Sequence, residues 1–296
     1  MRRIVLSIFI VLFVFQGNTQ EKKWLKKFLE TEKLADTASI GKLALYDLKQ
    51  GIKGIGHSFT RPLHWKKKDF IKLGALALGT VALATIDDEG SDFFIRNNPG
   101  DRSLFQEAGT RFGSPQVYFI ANATLYGVGL FTKNEKIRKT SILIISSSFT
   151  TGLIQSFAKT AVGRARPGSN GNENLNSLDF RFWDNRSRFH SFPSGHTVLS
   201  VTMAHAIAKQ FKNPWTKAGI YALGSVAPIS RLFAGAHWLT DIAVSAVLSI
   251  AVVDSIDRFL YGTKAYDYPE GYPVKEKYIS WNLRFSGNQV GFVGTF

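Results

Sequence analysis

Six apolar segments constrain the fold of this chain more than any other feature. They are 73–86, 114–132, 140–158, 197–208, 218–230 and 242–253. If these segments are helices that run up and down in sequence, the connections after the first, third and fifth lie at the same end. Those connections are 87–113, 159–196 and 231–241. The pattern therefore predicts an all-α six-helix bundle in which three separate connections meet at one end.

The second of these connections begins with two cations that are suited to binding an anion. Lys159 and Arg166 are seven residues apart, or two helical turns, so on one helix both side chains project from the same face. Pro167 would then end that helix. Arg164 lies off the shared face, and we interpret it as a surface charge or as a contact behind the site.

A second cluster lies directly before the fourth apolar segment, in the sequence Pro193-Ser194-Gly195-His196. Ser194 is a good N-cap for a helix that begins near His196. Free backbone N–H groups and the positive end of the helix dipole would lie beside the imidazole. The cluster therefore predicts an anion site at the start of this helix.

The third cluster contains Arg231, His237 and Asp241. His237 and Asp241 are four residues apart, which lets the carboxylate reach one ring nitrogen and fix the tautomer. The other nitrogen would then be free to act as a nucleophile or a base. Arg231 adds a planar fork of donors that matches phosphate oxygens.

Together the three clusters resemble the three-part signature of the phosphatidic-acid phosphatase type 2 superfamily. This superfamily also includes bacterial class A acid phosphatases and vanadium haloperoxidases. Eleven fixed residues match in the family's order between 159 and 241, and the resemblance in helix pattern covers roughly 71–256. The resemblance implies the six-helix bundle of that superfamily, in its bacterial membrane-associated or class A acid phosphatase branch.

The resemblance also implies a role for each matching residue. His237 would attack phosphorus to give a phosphohistidine, Asp241 would orient and charge it, and His196 would protonate the leaving oxygen and later activate water. The phosphate-binding residues would be Lys159, Arg166, Ser194, Gly195 and Arg231. That scheme requires no metal and no cofactor. The implied activity is a metal-independent phosphatase for phosphate monoesters or diphosphates, with envelope lipids as the expected substrates.

Three alternatives stay open at this point. A vanadate-dependent haloperoxidase would use the same cations to hold vanadate, with His237 as the metal ligand. A non-catalytic phospholipid or phosphate binder would need neither the two histidines nor the aspartate. A zinc hydrolase using His196, His237 and Asp241 is possible by ligand type, although the neighbouring cations would repel a dication.

The ends of the chain predict targeting and accessory segments. Residues 1–19 combine Arg2-Arg3 with the apolar run 4–15, which is typical of a signal peptide or an N-terminal anchor. Residues 20–70 form a basic N-terminal arm, 71–262 the helical phosphatase domain and 263–296 a C-terminal extension. The arm should contain a helix near 24–34 and a loop at Gly51, Gly54 and Gly56. Alternating residues in 278–296 predict a small C-terminal β-hairpin.

Charge indicates where the protein acts. The net charge of +15 suggests an anionic partner. With the phosphatase interpretation that partner is a phosphorylated lipid or small phosphate ester beside a membrane, and not nucleic acid. Connections 133–139 and 209–217 are basic, whereas 87–113 is acidic, which places the catalytic end outside the cytoplasm. We expect an exported envelope protein whose site faces the periplasm or the exterior.

Whether the bundle is membrane-embedded or membrane-associated stays open. Segments 114–132 and 140–158 are long enough to span a bilayer, whereas the last three are shorter. A cleaved signal peptide would leave 20–70 outside and reverse every span. Either the first segment is therefore retained or inserts unusually, or the helices form an exported globular bundle and the charge bias is incidental.

The aromatic residues of one loop and two further histidines are candidates for the site or for the core. Loop 168–192 has the composition of a flap, and its aromatic side chains either contact an apolar leaving group or anchor the loop. These aromatic residues are Phe180, Phe182, Trp183 and Phe189. His190 is close enough in sequence to Ser194 to line a pocket, and His205 is expected to be a hydrogen-bonded core residue.

Overall fold

The computed structural model describes residues 38–100, 103–168, 175–262, 280–286 and 289–295. The signal peptide or anchor predicted for 1–19 and the helix predicted near 24–34 lie outside these ranges. Both therefore stay predictions, as do the domain boundaries.

Nine α-helices account for most of the described residues, which confirms the all-α prediction. They are α1 (Ile40–Thr60), α2 (Lys67–Ala84), α3 (Asp87–Arg96), α4 (Leu104–Phe112), α5 (Pro115–Phe131), α6 (Glu135–Val162), α7 (Gly195–Ala208), α8 (Pro214–Phe233) and α9 (Leu239–Leu260). Each of the six predicted segments lies mainly within one helix, namely α2 and α5 to α9. Strands β1 (Ser280–Ser286) and β2 (Gln289–Thr295) pair antiparallel with Ser286 opposite Gln289, as expected for the C-terminal hairpin.

Helix α6 is the centre of the bundle and packs against α1, α5, α7 and α9. The hydrophobic core forms around it from buried side chains of α5, α6, α7 and α9, including Tyr118, Leu143, Ile144, Val253 and Ile256. The buried face of α6 also carries small polar residues such as Ser146 and Thr150. Small residues let neighbouring helices approach closely. The core therefore holds the ends of α6, α7 and α9 in fixed relative positions.

The loop predicted at Gly51, Gly54 and Gly56 is wrong, because all three glycines lie inside α1. A Cβ atom at Gly54 would lie 3.0 Å from Ile256 Cγ2, so this glycine allows α1 to pack closely on α9. Glycine within a helical pattern can mark close packing as well as a turn. The chain uses it here for packing.

The predicted meeting of three connections is confirmed. Arg164 belongs to the second connection, and its Nη2 lies 2.7 Å from the carboxylate of Asp87, which begins the first connection. Its Nη1 lies 2.6 Å from Asp241, which ends the third. All three side chains are buried. The separated clusters of the sequence thus share one end of the bundle.

Two of the described helices, α6 and α9, are long and apolar enough to cross a membrane. Helices α2 and α3 would count as a third span if the 57° bend between them lies within one crossing. Helix α2 has no buried residue and exposes apolar side chains, among them Phe70, Leu73 and Leu78. A large exposed apolar surface of this kind indicates contact with a membrane or a partner.

The last helix is longer than its apolar segment predicts. It continues beyond residue 253 because Asp254 and Asp257 form ion pairs with Lys209 at 2.6 and 3.0 Å. Paired carboxylates can extend an apolar helix without the cost of an isolated charge. In the same group, the ring nitrogens of His205 contact Tyr221 Oη at 2.7 Å and Asp254 at 3.1 Å, so this histidine is hydrogen-bonded as predicted.

Candidate active site

Lys159 and Arg166 do not share a helix, contrary to the sequence prediction. Helix α6 ends at Val162, and Gly163 follows in the left-handed conformation with φ of 59°. Its N–H bonds to the Lys159 carbonyl at 3.1 Å, which is a common way for a helix to end at glycine. The helix therefore stops before Pro167, and Arg166 lies in the following loop.

Both cations nevertheless converge on one point, the backbone carbonyl of His190. Lys159 Nζ donates to this oxygen at 3.0 Å and Arg166 Nη2 donates to it at 3.1 Å. Arg166 Nη1 also donates to the Ala236 carbonyl at 3.0 Å. The imidazole of His190 contacts the carbonyl oxygen of Asp184 instead, at 2.9 Å. His190 thus contributes its backbone, rather than its ring, to the position of the cations.

The start of α7 has the capping geometry that the sequence predicts. Helix α7 begins at Gly195, and Ser194 is its N-cap, with Oγ accepting from the Thr197 N–H at 3.4 Å and from Thr197 Oγ1 at 2.9 Å. His196 therefore lies in the first turn, next to the positive end of the helix. The imidazole packs on Gly113, where an added Cβ would lie 2.4 Å from His196 Cδ2.

The surroundings of His196 disfavour its protonation. Burial lowers the pKa of His196 to about 4, and the positive charges of Arg231 and Lys159 act in the same direction. A hydrogen bond to the backbone of Thr110 opposes this shift without cancelling it. In the absence of a bound anion, His196 is therefore neutral at physiological pH.

His237 is buried, and its Nδ1 is held by a backbone carbonyl. Nδ1 lies 2.6 Å from the carbonyl oxygen of Ser191 and 3.7 Å from Oδ2 of Asp241. The Ser191 distance is that of a hydrogen bond, and the Asp241 distance is too long for one. Because a carbonyl oxygen can only accept, Nδ1 must carry the proton, and Nε2 keeps its lone pair.

The pKa of His237 reflects a balance between burial and charge. Burial lowers the pKa of His237, the carboxylate of Asp241 raises it, and the positive charges of Arg166 and Lys159 lower it again. The net direction is downward, since the ring is 3% exposed and lies among cations. The imidazole of His237 is therefore harder to protonate than a free imidazole, which favours an unprotonated Nε2.

Asp241 is anchored by other groups as well. One carboxylate oxygen accepts from the Ser191 hydroxyl and from the backbone N–H of Trp238, the latter at 2.9 Å. The other accepts from Arg164 Nη1 at 2.6 Å. The predicted four-residue contact between His237 and Asp241 is therefore one of charge at 3.7 Å, while Ser191 orients the ring.

Arg164 is buried and only 4% exposed, so its interpretation as a surface charge is wrong. Its Nε donates to the Ser177 carbonyl at 2.9 Å, and its Nη1 donates to Thr240 Oγ1 at 2.6 Å. Nη2 donates to Asp87 Oδ2 at 2.7 Å. The guanidinium contacts Oδ1 of Asp241, whereas His237 Nδ1 lies 3.7 Å from Oδ2, in agreement with the alternative interpretation of a contact behind the site.

Helix α4 forms the wall of the site at Arg231. Arg231 Nη2 donates to Thr110 Oγ1 at 2.5 Å, and Nε contacts Ser230 Oγ at 3.3 Å. An added Cβ at Gly109 would lie 2.0 Å from Ser230 Oγ, so glycine is required for α4 to approach α8. The first connection therefore contributes both to the position of Arg231 and to the surroundings of His196.

The aromatic residues of the loop between α6 and α7 form two groups that differ in burial. Phe189 is fully buried, with guanidinium groups near its ring, so it cannot reach a leaving group and instead anchors the loop. Phe180, Phe182 and Trp183 are exposed. Trp183 also packs edge-on against Phe157 of α6, with ring centroids 5.9 Å apart. An exposed aromatic surface therefore borders the end of α6 that carries Lys159.

Comparison with known proteins finds a family that part of the chain resembles. The family model of the PAP2 superfamily matches residues 141–258. These residues, less than half of the chain, are similar to that superfamily. No curated protein sequence matches the chain. The crystal structure of LpxE from Aquifex aeolicus is 21% identical, with a TM-score of 0.39, and the match covers 56% of this chain and 92% of that one.

A second solved structure is also similar to part of this chain. It is described as the first transmembrane PAP2 type phosphatidylglycerolphosphate phosphatase, from Bacillus subtilis. It is 18% identical, with a TM-score of 0.48, and the match covers 65% of this chain and 98% of that one.

The site contains residues that sequence reasoning missed. Asp87, Thr110, Ser191 and Thr240 all contact a residue of the predicted clusters or Arg164. The only signal for Asp87 was the acidic composition of connection 87–113. In the described ranges, no group of three or more His, Cys, Asp or Glu side chains is placed to hold a metal ion. His196, His237 and Asp241, considered above as zinc ligands, do not form such a group.

Proposed function

We propose that this protein is a phosphatase that hydrolyses phosphate monoesters or diphosphates of lipids through a phosphohistidine at His237. One observation carries the proposal. Ser191 fixes the tautomer of a buried imidazole so that Nε2 holds a lone pair, with the cations Lys159 and Arg166 close enough to influence its charge. A neutral imidazole beside a cationic pocket is a nucleophile suited to a phosphate group.

The phosphoryl group would be bound by Lys159, Arg166, Arg231, the Ser194 hydroxyl and the Gly195 N–H. The hydrogen bonds that Ser194 Oγ receives use its lone pairs, which leaves its hydrogen to be donated. The site has four cations, including Arg164, and two carboxylates, those of Asp87 and Asp241. The positive charges therefore exceed the negative charges by two. This excess favours a phosphate dianion and the charge that builds in the transition state.

The reaction would take place in two steps. First, Nε2 of His237 attacks phosphorus and the bond to the leaving oxygen breaks, while His196 donates a proton to that oxygen. The phosphorylated ring is cationic, and the carboxylate of Asp241, 3.7 Å from Nδ1, stabilises it. His196 then removes a proton from water, which attacks phosphorus and releases His237.

The low pKa of His196 adds a condition to this scheme. With a pKa of about 4, His196 is protonated in only a small fraction of the substrate-free enzyme at neutral pH. A bound phosphate brings negative charge next to the ring and raises the pKa. Substrate binding would therefore help to load the general acid.

The position of the site supports a lipid substrate. Lys159 lies near the C-terminal end of α6 and Asp241 near the N-terminal end of α9, and these are the two helices long enough to cross a membrane. If both cross, the site lies at the depth of lipid headgroups. Exposed Phe182 and Trp183 border the same end, as aromatic side chains do at membrane interfaces. The charge of the connections supports a site that faces the periplasm or the exterior.

A substrate panel tests the proposed function. The full-length protein, purified in detergent, should release phosphate from phosphatidic acid, phosphatidylglycerol phosphate or a polyprenyl diphosphate faster than from a soluble monoester. The His237→Ala variant should release none. The proposal would be refuted if His237→Ala kept its activity on every substrate. It would also be refuted if the wild type released no phosphate from any substrate of the panel.

A further inference from the structure

A buried chain of charges lies behind the proposed nucleophile and ends outside the three sequence clusters. It runs from His237 to Asp241, from Asp241 to Arg164, and from Arg164 to Asp87. Asp87 and Asp241 are fully buried, and Arg164 is 4% exposed. Asp87 is the first residue of α3 and is far from the phosphate-binding residues in sequence.

Arg164 alone would weaken the effect of Asp241 on His237. Its guanidinium lies 2.6 Å from one carboxylate oxygen, whereas His237 Nδ1 lies 3.7 Å from the other. A buried carboxylate and a guanidinium 2.6 Å apart have almost no net charge, so a group farther away feels little field from the pair. A second negative charge is therefore needed if His237 is to sense a net carboxylate.

Asp87 supplies that second charge. Its Oδ2 accepts from Arg164 Nη2 at 2.7 Å and from Thr240 Oγ1 at 2.5 Å, and its Oδ1 accepts from the Thr240 N–H at 3.0 Å. The group of Asp87, Arg164 and Asp241 thus contains two carboxylates and one guanidinium, which leaves one net negative charge. Because Thr240 also accepts from Arg164 Nη1 at 2.6 Å, the group is fixed in position.

We propose that Asp87 is a positioning residue of the phosphatase, whose carboxylate neutralises Arg164 so that the charge of Asp241 acts on the His237 imidazole. This inference rests on the proposed function. One net negative charge behind the ring matches the one positive charge that the ring gains when it is phosphorylated. Lys159, Arg166 and His196, whose charges also interact with that of His237, stay the same and therefore form a constant background in the test.

Three variants change the charge of this group in different directions. Asp87→Asn raises it by one unit and should move the titration of His237 to lower pH. Arg164→Gln lowers it by one unit and should move the titration to higher pH. The double variant restores the original charge and should titrate close to the wild type. Each single shift should be about one pH unit, the size expected for one charge acting through protein at an effective dielectric constant of roughly 20.

Asp88→Asn is the matched control. Asp88 is the next residue in α3 and also binds the α6–α7 loop, through Ser177 N at 2.9 Å and Ser177 Oγ at 2.8 Å. It is exposed, and its described hydrogen bonds are with Ser177 rather than Arg164. If Asp87 only fastened the loop, both variants should behave alike. We expect no shift for Asp88→Asn.

Two readouts follow the titration. In the first, the nitrogen resonances of ¹⁵N-histidine-labelled protein in detergent are titrated, with His237 assigned from a His237→Gln sample. In the second, the acidic limb of kcat/KM is measured with nitrophenyl phosphate, which needs little help from a general acid. The first readout does not depend on activity, so failure of this inference can be told from failure of the proposed function.

Opposite shifts in the two single variants, with the double variant between them, would support the inference. No shift in Asp87→Asn, or shifts of both single variants in the same direction, would overturn it. If one single variant does not fold, the other is compared with the double variant, and equal titrations in that pair would also overturn it.

Discussion

Asparagine at position 241 tests what the carboxylate does for His237. The substitution keeps the shape of Asp241 and removes its charge, which lies 3.7 Å from Nδ1. At an effective dielectric constant of roughly 20, two unit charges at this distance interact by about 4 kcal/mol. Arg164, 2.6 Å from the same carboxylate, offsets part of this interaction, and the pairing of Arg164 with Asp87 limits that offset. We therefore expect a loss of about 3 kcal/mol in the transition state, or roughly 10² in kcat.

The loss should stay below that of a serine protease whose triad aspartate becomes asparagine, about 10⁴. In that enzyme the tautomer changes, whereas here the Ser191 carbonyl accepts from Nδ1 at 2.6 Å and keeps it. KM should change much less than kcat, because the phosphate is bound by Lys159, Arg166 and Arg231.

The assay is steady-state hydrolysis of nitrophenyl phosphate in detergent, with circular dichroism to check folding. Asp254→Asn is the matched control, because Asp254 is on the same helix and pairs with Lys209 instead. It should keep wild-type kcat. A folded Asp241→Asn protein that retains more than half of its activity would show that the carboxylate is structural. A loss near 10⁴ would show that Asp241, rather than Ser191, sets the tautomer.

Four further predictions concern the general acid, its pH dependence, metal dependence and packing. His196→Ala should lose ~10²–10⁴ in kcat/KM, which reports phosphorylation of His237, for alkyl phosphates and little in kcat/KM for nitrophenyl phosphate; equal losses in kcat/KM would contradict the assignment. Because the pKa of His196 is about 4 in the free enzyme, the wild-type kcat/KM for an alkyl phosphate should fall at lower pH than kcat does. If kcat/KM and kcat fall at the same pH, bound phosphate does not raise the pKa of His196. Activity should survive dialysis against EDTA and be inhibited by vanadate, whereas a loss restored by zinc or magnesium would refute this. Gly109→Ala should raise KM, measured on the same esters, because the new Cβ would lie 2.0 Å from Ser230 Oγ and displace Arg231; an unchanged KM would show that α4 does not position Arg231.

The parts of the site that the sequence predicts are those determined by local structure. Ser194 caps α7 because its oxygen reaches the N–H three residues later, an arrangement encoded in a few adjacent residues. The meeting of the three connections follows from the order of the helices. The shared face of Lys159 and Arg166 was predicted wrongly, because Gly163 ends α6 between them.

The residues that sequence reasoning missed depend on long-range contacts. Arg164 binds Asp87 and Asp241, and each pair is separated by 77 residues. Spacing along the chain carries no information about such pairs. Ser191 orients His237 through a backbone carbonyl, which every residue possesses, so its side-chain type gave no signal.

Trapping the covalent intermediate tests the central claim most directly. Protein mixed with a ³²P-labelled ester and quenched in alkaline denaturant should carry label that is stable to base and lost in acid, as expected for phosphohistidine. Peptide mapping should place the label on His237. The label should be absent from His237→Ala, and it should accumulate in His196→Ala with nitrophenyl phosphate, because that variant lacks the base that activates water. Label on another residue, or full turnover of the wild type without any labelled protein, would contradict the account.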